Sequence, residues 1–69
     1  MKIVYRSDFI ANYVGHSYHK TQLLLQTYIN EEIVIDESKG VLYSGEQDSF
    51  GYEAVVAIQH SGRQVAIIK

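Results

Sequence analysis

Cysteine, proline and tryptophan are all absent from this 69-residue sequence, and no apolar run approaches the length of a membrane span. Without cysteine the chain has neither disulfide bonds nor thiolate ligands for a metal. A transmembrane helix needs about 18 or more consecutive apolar residues, and the early apolar run Ile3–Tyr5 is far shorter. Because no signal sequence is recognisable either, the sequence predicts a cytoplasmic protein without a membrane partner.

A chain this short has room for only one core, so we expect a single domain over residues 1–69. A hydrophobic fraction of 46% predicts a folded rather than a disordered chain. Small domains bury about 60% of their unfolded surface and have thin stability margins. Since disulfides are excluded, the missing stability must come from efficient packing or from a partner that covers apolar surface.

The charges are unevenly distributed along the chain, with a net charge of −2. Asp8 is the only acid in the first third, whereas seven of the eight acids lie from Glu31 to Glu53. The mildly acidic balance argues against nonspecific nucleic-acid binding, which depends on neutralising phosphates. An acidic face of this kind favours a basic partner instead.

Tyrosine is far more frequent in this sequence than the other aromatic residues. Six tyrosines stand against two phenylalanines: Tyr5, Tyr13, Tyr18, Tyr28, Tyr43 and Tyr52. A tyrosine side chain has an apolar ring and a polar tip, which suits half-buried and interface positions.

The first half of the chain predicts one strand and a helical hairpin. Residues Lys2–Arg6 are typical of a short strand, and Phe9–Val14 follow at helical spacing up to a stop at Gly15. A second helix is expected over Tyr18–Asn30, with a strand as the competing interpretation because alternate residues there are apolar or β-branched.

The second half predicts β-hairpins. Ile33–Ile35 and Val41–Tyr43 flank a turn-forming segment, and the polar loop Ser44–Gly51 follows. Ala54–Gln59 and Gln64–Ile68 form the clearest hairpin, around a Ser61-Gly62 turn. The expected fold class is therefore α+β: a short N-terminal strand, a helical hairpin, and an antiparallel β-meander of about four strands.

The hairpin over residues 54–68 is expected to be apolar on both faces. Ile58 would face Val65 on one side, while Ala57 would face Ala66 on the other. A strand that is apolar on both sides is covered twice or covered by another subunit. This pattern predicts a partner surface or a homodimer formed through residues 54–68.

Motifs for catalysis are missing, so we expect no enzymatic activity and no cofactor. The sequence contains no GxSxG, GxxxxGK[ST] or GxGxxG motif. His16, His19 and His60 lack a nearby carboxylate at ligand spacing, and the acids do not match a calcium loop, so no metal site is predicted.

The first functional hypothesis is a small regulatory or inhibitory protein that binds another protein. Its size and acidity are typical of a phage or mobile-element accessory protein. The tyrosine-bearing and acidic surface would supply the partner-binding residues: Tyr18, Tyr43, Glu46, Asp48, Tyr52 and Glu53.

The alternative hypothesis is a compact DNA-binding regulator. The segment Ile10–Leu24 resembles the helix-turn-helix signature in its Ala11, Gly15 and Ser17 spacing, although His16 and Thr21 stand where that signature has apolar residues. The resemblance implies a second helix in the major groove and a hairpin wing. The residues that would contact DNA are then Tyr18, His19, Lys20, Gln22 and Arg63.

Overall fold

Strands and helices alternate along the whole chain in a computed structural model that describes residues 1–69. The elements in chain order are β1 (Lys2–Val4), α1 (Arg6–Phe9), α2 (His16–Thr27), β2 (Ile33–Asp36), a 3₁₀ helix (Glu37–Lys39), α3 (Ser49–Ser61) and β3 (Ala66–Ile68). The strand at residues 33–35 and the second helix are thus confirmed, and the strand alternative for residues 18–30 is wrong.

The three strands form one sheet in the order β1-β2-β3, and both neighbouring pairs are parallel. In the register, Ile3 lies opposite Val34, which in turn lies opposite Ala66. The expected four-stranded antiparallel meander is therefore wrong. Parallel neighbours need a crossover connection, and helices supply both crossovers in this small α+β fold.

Residues 54–61 are helical, which removes the hairpin predicted over 54–68 and the homodimer contact based on it. Asp48 starts α3 as its N-cap, accepting a hydrogen bond from the Gly51 amide, and Gly62 ends it in a left-handed conformation at φ 73°. Between these two ends, the buried residues Gly51, Ala54 and Ala57 recur every three positions. That spacing places small residues on one helical face, so a neighbouring helix can approach closely.

Helices α2 and α3 pack against each other more extensively than any other two elements, and so lie on the same side of the sheet. The inward face of α2 carries Ser17, Thr21 and Leu25 at four-residue spacing. The core beneath them contains seven residues: Val4, Phe9, Leu25, Ile33, Ile35, Leu42 and Ala54.

Two further predicted elements differ from the structure. The helix predicted over Phe9–Val14 is wrong: α1 spans Arg6–Phe9, and residues 10–14 are not helical. The helical turn comes earlier because the Asp8 carboxylate accepts a hydrogen bond from the Tyr5 amide and so caps it. The predicted strand Val41–Tyr43 is not a strand. The Leu42 amide donates to Glu37 and its carbonyl accepts from Arg6, so side chains replace the bonds that a strand partner would make.

Candidate interaction surface

The sheet has one face that no helix covers. Side chains alternate along a strand and register partners share a face, so the core residues Val4, Ile33 and Ile35 mark the helix side. Their neighbours form the other side of the sheet, which we call the open face: Ile3, Val34, Asp36, Ala66 and Ile68.

All open-face strand residues except Asp36 are apolar. Val34, on the central strand, is only 5% exposed. Ile3 at 43% and Ile68 at 53% are largely accessible to solvent. Parallel sheets in proteins are almost always covered on both faces, and their strands are apolar on both sides for that reason. The open face thus has the composition of a buried surface in an exposed position.

Two carboxylates stand at opposite ends of the open face. Alternation along the central strand places Glu32 and Asp36 on the same side as Val34, one before it and one after. Glu32 is exposed and Asp36 is half-buried. The Ser38 amide donates a hydrogen bond to Asp36 at 2.8 Å, which lowers the pKa of this carboxyl below its ordinary value. Asp36 is therefore ionised at neutral pH.

A second feature is a cleft of about 360 Å³ between α2 and α3. The Tyr18 hydroxyl and His60 Nδ1 lie 2.9 Å apart across it. Arg63 closes one end, donating from Nη1 to the Leu25 carbonyl and from Nη2 to the Glu31 carbonyl. Since these bonds tie α2 to the chain after α3, Arg63 has a structural function here.

The predicted partner-binding residues do not form one surface. Tyr43 and Tyr52 lie together, with ring centroids 6.1 Å apart, and Glu46 is exposed. Tyr18 lies in the α2–α3 cleft. Asp48 is used inside the fold: its side chain is 7% exposed and paired with Arg6. Glu53 accepts a hydrogen bond from the Gly15 amide through Oε2, while its Oε1 is buried without a partner.

The predicted DNA-binding residues do not form one surface either. Tyr18, Gln22 and Arg63 line the α2–α3 cleft, and His19 is exposed beside the Tyr18 ring. The Lys20 amino group donates to the carbonyls of Ser7 and Ile10. The wing that would carry Arg63 does not exist, because α3 continues to Ser61.

The sequence-based candidates included Ala66 and Ile68 only as part of the predicted hairpin over residues 54–68, and did not include Ile3 or Val34. The signal for the open face was present in the apolar run Val65–Ile68, whose two-sided character was ascribed to a hairpin. In the structure, Val65 packs against the core, while Ala66 and Ile68 lie on the open face. The two-sided pattern thus indicated an uncovered parallel sheet.

Comparisons of this chain with protein-family models, curated proteins and solved structures found no match. No helix is both long enough and apolar enough to cross a membrane. The structure also contains no group of three histidine, aspartate or glutamate side chains placed to hold a metal ion. A functional assignment for this chain therefore depends on the geometry described above.

Proposed function

We propose that this chain is a small non-enzymatic regulatory protein that acts by binding another protein through its open face. The observation that carries the proposal is an all-parallel sheet with helices on one side and apolar residues on the other. Covering Ile3, Ala66 and Ile68 would remove exposed apolar surface from water, which is the main favourable term in protein association.

The occupant we propose is an amphipathic helix of the partner. Strands lie about 4.8 Å apart, so the backbone of three strands spans roughly 10 Å, while a helix with side chains is about 10–12 Å wide. One helix therefore matches the open face in width. Helices are also the elements that cover the second face of parallel sheets.

The dimensions of the open face argue against a second copy of this chain as the occupant. Four strand residues at about 3.3 Å each, across three strands, give a footprint of roughly 150 Å². A stable interface buries about 800 Å² per partner. Two copies stacked through this face alone would fall well short of that area and would also bring the Glu32 and Asp36 carboxylates of both chains together, a repulsion that a partner helix with basic residues avoids.

The charges at the ends of the face specify the chemistry of the partner helix. Glu32 directly precedes β2 and Asp36 is its last residue, so the two are four positions apart, which corresponds to about 13 Å of extended chain. Along a helix that distance spans roughly nine residues. We expect an apolar stripe with lysine or arginine near both ends, since opposite charges at a rim increase the association rate and fix orientation.

Site-specific photo-crosslinking in the native host tests this proposal. A photoreactive residue replaces Ile3 or Ile68 in turn, and cross-linked peptides are identified by mass spectrometry. Leu23 is the matched control, because it is 64% exposed but lies on α2. The proposal requires that Ile3 and Ile68 react with one amphipathic helical segment of one partner, and that Leu23 does not.

Substitutions then test whether the contact carries affinity. With the partner so identified, Ile68→Lys should weaken binding by at least about tenfold, since it places a charge in an apolar contact. Leu23→Lys should leave binding unchanged. Cross-links only to copies of this chain, equal reaction from Leu23, or no reaction at all would each refute the proposal.

A further inference from the structure

A second cleft, of about 430 Å³, lies at the carboxyl edge of the sheet. It is lined by five residues: Tyr5, Arg6, Ser7, Ile10 and Lys39. Tyr5 follows the end of β1 directly, and Lys39 ends the 3₁₀ helix that follows β2. Ligands of parallel sheets bind outside the carboxyl ends of the strands. The volume also falls within the range of small-molecule sites, about 300–1,000 Å³.

Polar groups that line this cleft keep unused hydrogen-bonding capacity. Lys39 forms no ion pair, and its Nζ lies 4.8 Å from the centre of the Tyr5 ring. The Ser7 hydroxyl makes no hydrogen bond within the protein, although the Ser7 carbonyl accepts one from Lys20. Arg6 uses Nη1 and Nη2 for its bonds, so its Nε–H has no partner. Hydroxyl, ammonium and guanidinium donors are the groups that bind phosphate oxygens.

Lys20 adds a second ammonium group beside the cleft. Its Nζ donates to the carbonyls of Ser7 and Ile10 at 3.1 and 3.0 Å, and both of these residues line the cleft. An ammonium group has three donors, so one is left over. Lys20, like Lys39, forms no ion pair with a carboxylate.

No carboxylate lines the cleft. Nearby acids each use at least one oxygen within the fold: Asp48 binds the Arg6 guanidinium, Asp8 accepts from the Tyr5 amide, Asp36 from the Ser38 amide and Glu37 from the Leu42 amide. Asp48 compensates the charge of Arg6, and Asp36 interacts with Lys39 at longer range without an ion pair. The two lysines are thus the positive charges of the cleft that no carboxylate pairs with directly.

We propose that this cleft binds a small phosphate monoester. A dianionic phosphate group matches two ammonium groups better than a carboxylate does, and its three acceptor oxygens match the free donors. Ile10 and the Tyr5 ring supply an apolar wall for the organic part of the ligand. The site is separate from the open face, so it does not depend on the proposed protein partner.

Phenyl phosphate, inorganic phosphate and benzoate are the three probes for a titration followed by two-dimensional NMR of the ¹⁵N-labelled protein. We expect phenyl phosphate to bind most tightly and to shift the amides of residues 5–10 and 37–40. Inorganic phosphate should affect the same amides at higher concentration, because it lacks the apolar part. Benzoate, a monoanion with the same ring, should be the weakest of the three.

Lys39 and Lys2 form a matched pair of variants for this titration. Each lysine lies over a tyrosine ring, Lys39 over Tyr5 at 4.8 Å and Lys2 over Tyr28 at 4.9 Å, but only Lys39 lines the cleft. Lys39→Gln should raise the Kd for phenyl phosphate by about fivefold or more, the cost of one charge-assisted hydrogen bond. Lys2→Gln should change it by less than about twofold, as expected for a remote charge screened by salt.

Three results would overturn the proposal. Benzoate that binds as tightly as phenyl phosphate would exclude recognition of the phosphate. Equal effects of the two lysine substitutions would indicate general attraction of anions to the surface. Shifts outside the cleft residues, or no shifts at all, would show that the cleft is not the binding site.

Discussion

Arg6 and Asp48 form a two-pronged ion pair, with Nη1 2.6 Å from Oδ2 and Nη2 2.9 Å from Oδ1. This pair joins the first residue of α1 to the N-cap of α3. Asp48 also accepts hydrogen bonds from the Ser44 and Gly51 amides, and Arg6 donates to the Leu42 carbonyl. The connection from β2 to α3 is thus held by one largely buried carboxylate.

The Arg6–Asp48 pair predicts a specific acid sensitivity. The hydrogen bond from Arg6 is the largest of the causes that lower the pKa of Asp48 well below its ordinary range, and the same contact raises the pKa of Arg6. Because the folded state lowers the pKa of Asp48, its stabilising effect is complete above the unfolded value of about 3.9. The effect is lost progressively as the pH falls below that value toward the folded one.

Asp48→Asn should therefore reduce the free energy of unfolding at pH 7 by about 2–4 kcal/mol, since it leaves Arg6 without its charge partner. The loss should shrink between pH 4 and pH 2, where the wild type weakens as well. Urea unfolding followed by circular dichroism at several pH values measures both effects. Glu46→Gln removes an exposed carboxylate from the same loop and serves as the control. A difference between wild type and Asp48→Asn that stays constant down to pH 2 would contradict the assigned role of the charge.

Gly51 is required for space rather than for backbone conformation. A Cβ at this position would collide with Asp48 Oδ2 and with the Leu42 carbonyl oxygen. Gly62, in contrast, has open space around it but a φ of 73°. Gly51→Ala should cost about 2–3 kcal/mol through overpacking, while Gly62→Ala should cost about 1 kcal/mol through left-handed strain. Thermal unfolding of the two variants measures the difference. A larger destabilisation by Gly62→Ala than by Gly51→Ala would show that the loop before α3 moves at little cost to make room for the added methyl group.

How far the sequence determines the fold is best seen at residues 54–59. The β-branched residues Val55, Val56 and Ile58 favour a strand by propensity, but propensity is weak beside tertiary packing. The helix forms because Asp48 caps it, Gly62 terminates it and the small residues Gly51, Ala54 and Ala57 meet α2. Both end signals were visible in the sequence, as was the three-residue spacing. Once this helix is recognised, alternation of strands and helices predicts the parallel sheet.

The candidate surfaces were less accessible to sequence reasoning than the helices and strands. Whether an apolar strand such as Ala66–Ile68 is covered on one or both faces depends on which side the two crossover helices lie, and that is a property of the whole fold. The second cleft joins residues 5–10 to Lys39 across more than 25 positions of the chain. No local pattern records that proximity, whereas Lys39 and Arg6 taken singly are ordinary surface cations.

Arg63 should stabilise the fold through the two hydrogen bonds that its planar guanidinium donates, rather than through its charge alone. Its two Nη atoms bind the Leu25 carbonyl at 2.8 Å and the Glu31 carbonyl at 2.6 Å. We expect Arg63→Ala to reduce the free energy of unfolding by about 1–3 kcal/mol, and Arg63→Lys to recover only part of it, because an ammonium lacks the planar fork. Hydrogen exchange of the amides at residues 25–33 should accelerate in both variants. Full recovery by lysine would show that the charge, rather than the geometry, is what matters.

Leu25 and Leu23 lie two positions apart on α2 but on different faces. Leu25 is 4% exposed within the core, whereas Leu23 is 64% exposed. Leu25→Ala should therefore cost about 2–4 kcal/mol, from lost apolar burial and the cavity left behind, whereas Leu23→Ala should change the free energy of unfolding by less than about 0.5 kcal/mol. Chemical denaturation of both variants measures the two values under one condition. Equal costs would mean that α2 is rotated relative to the sheet.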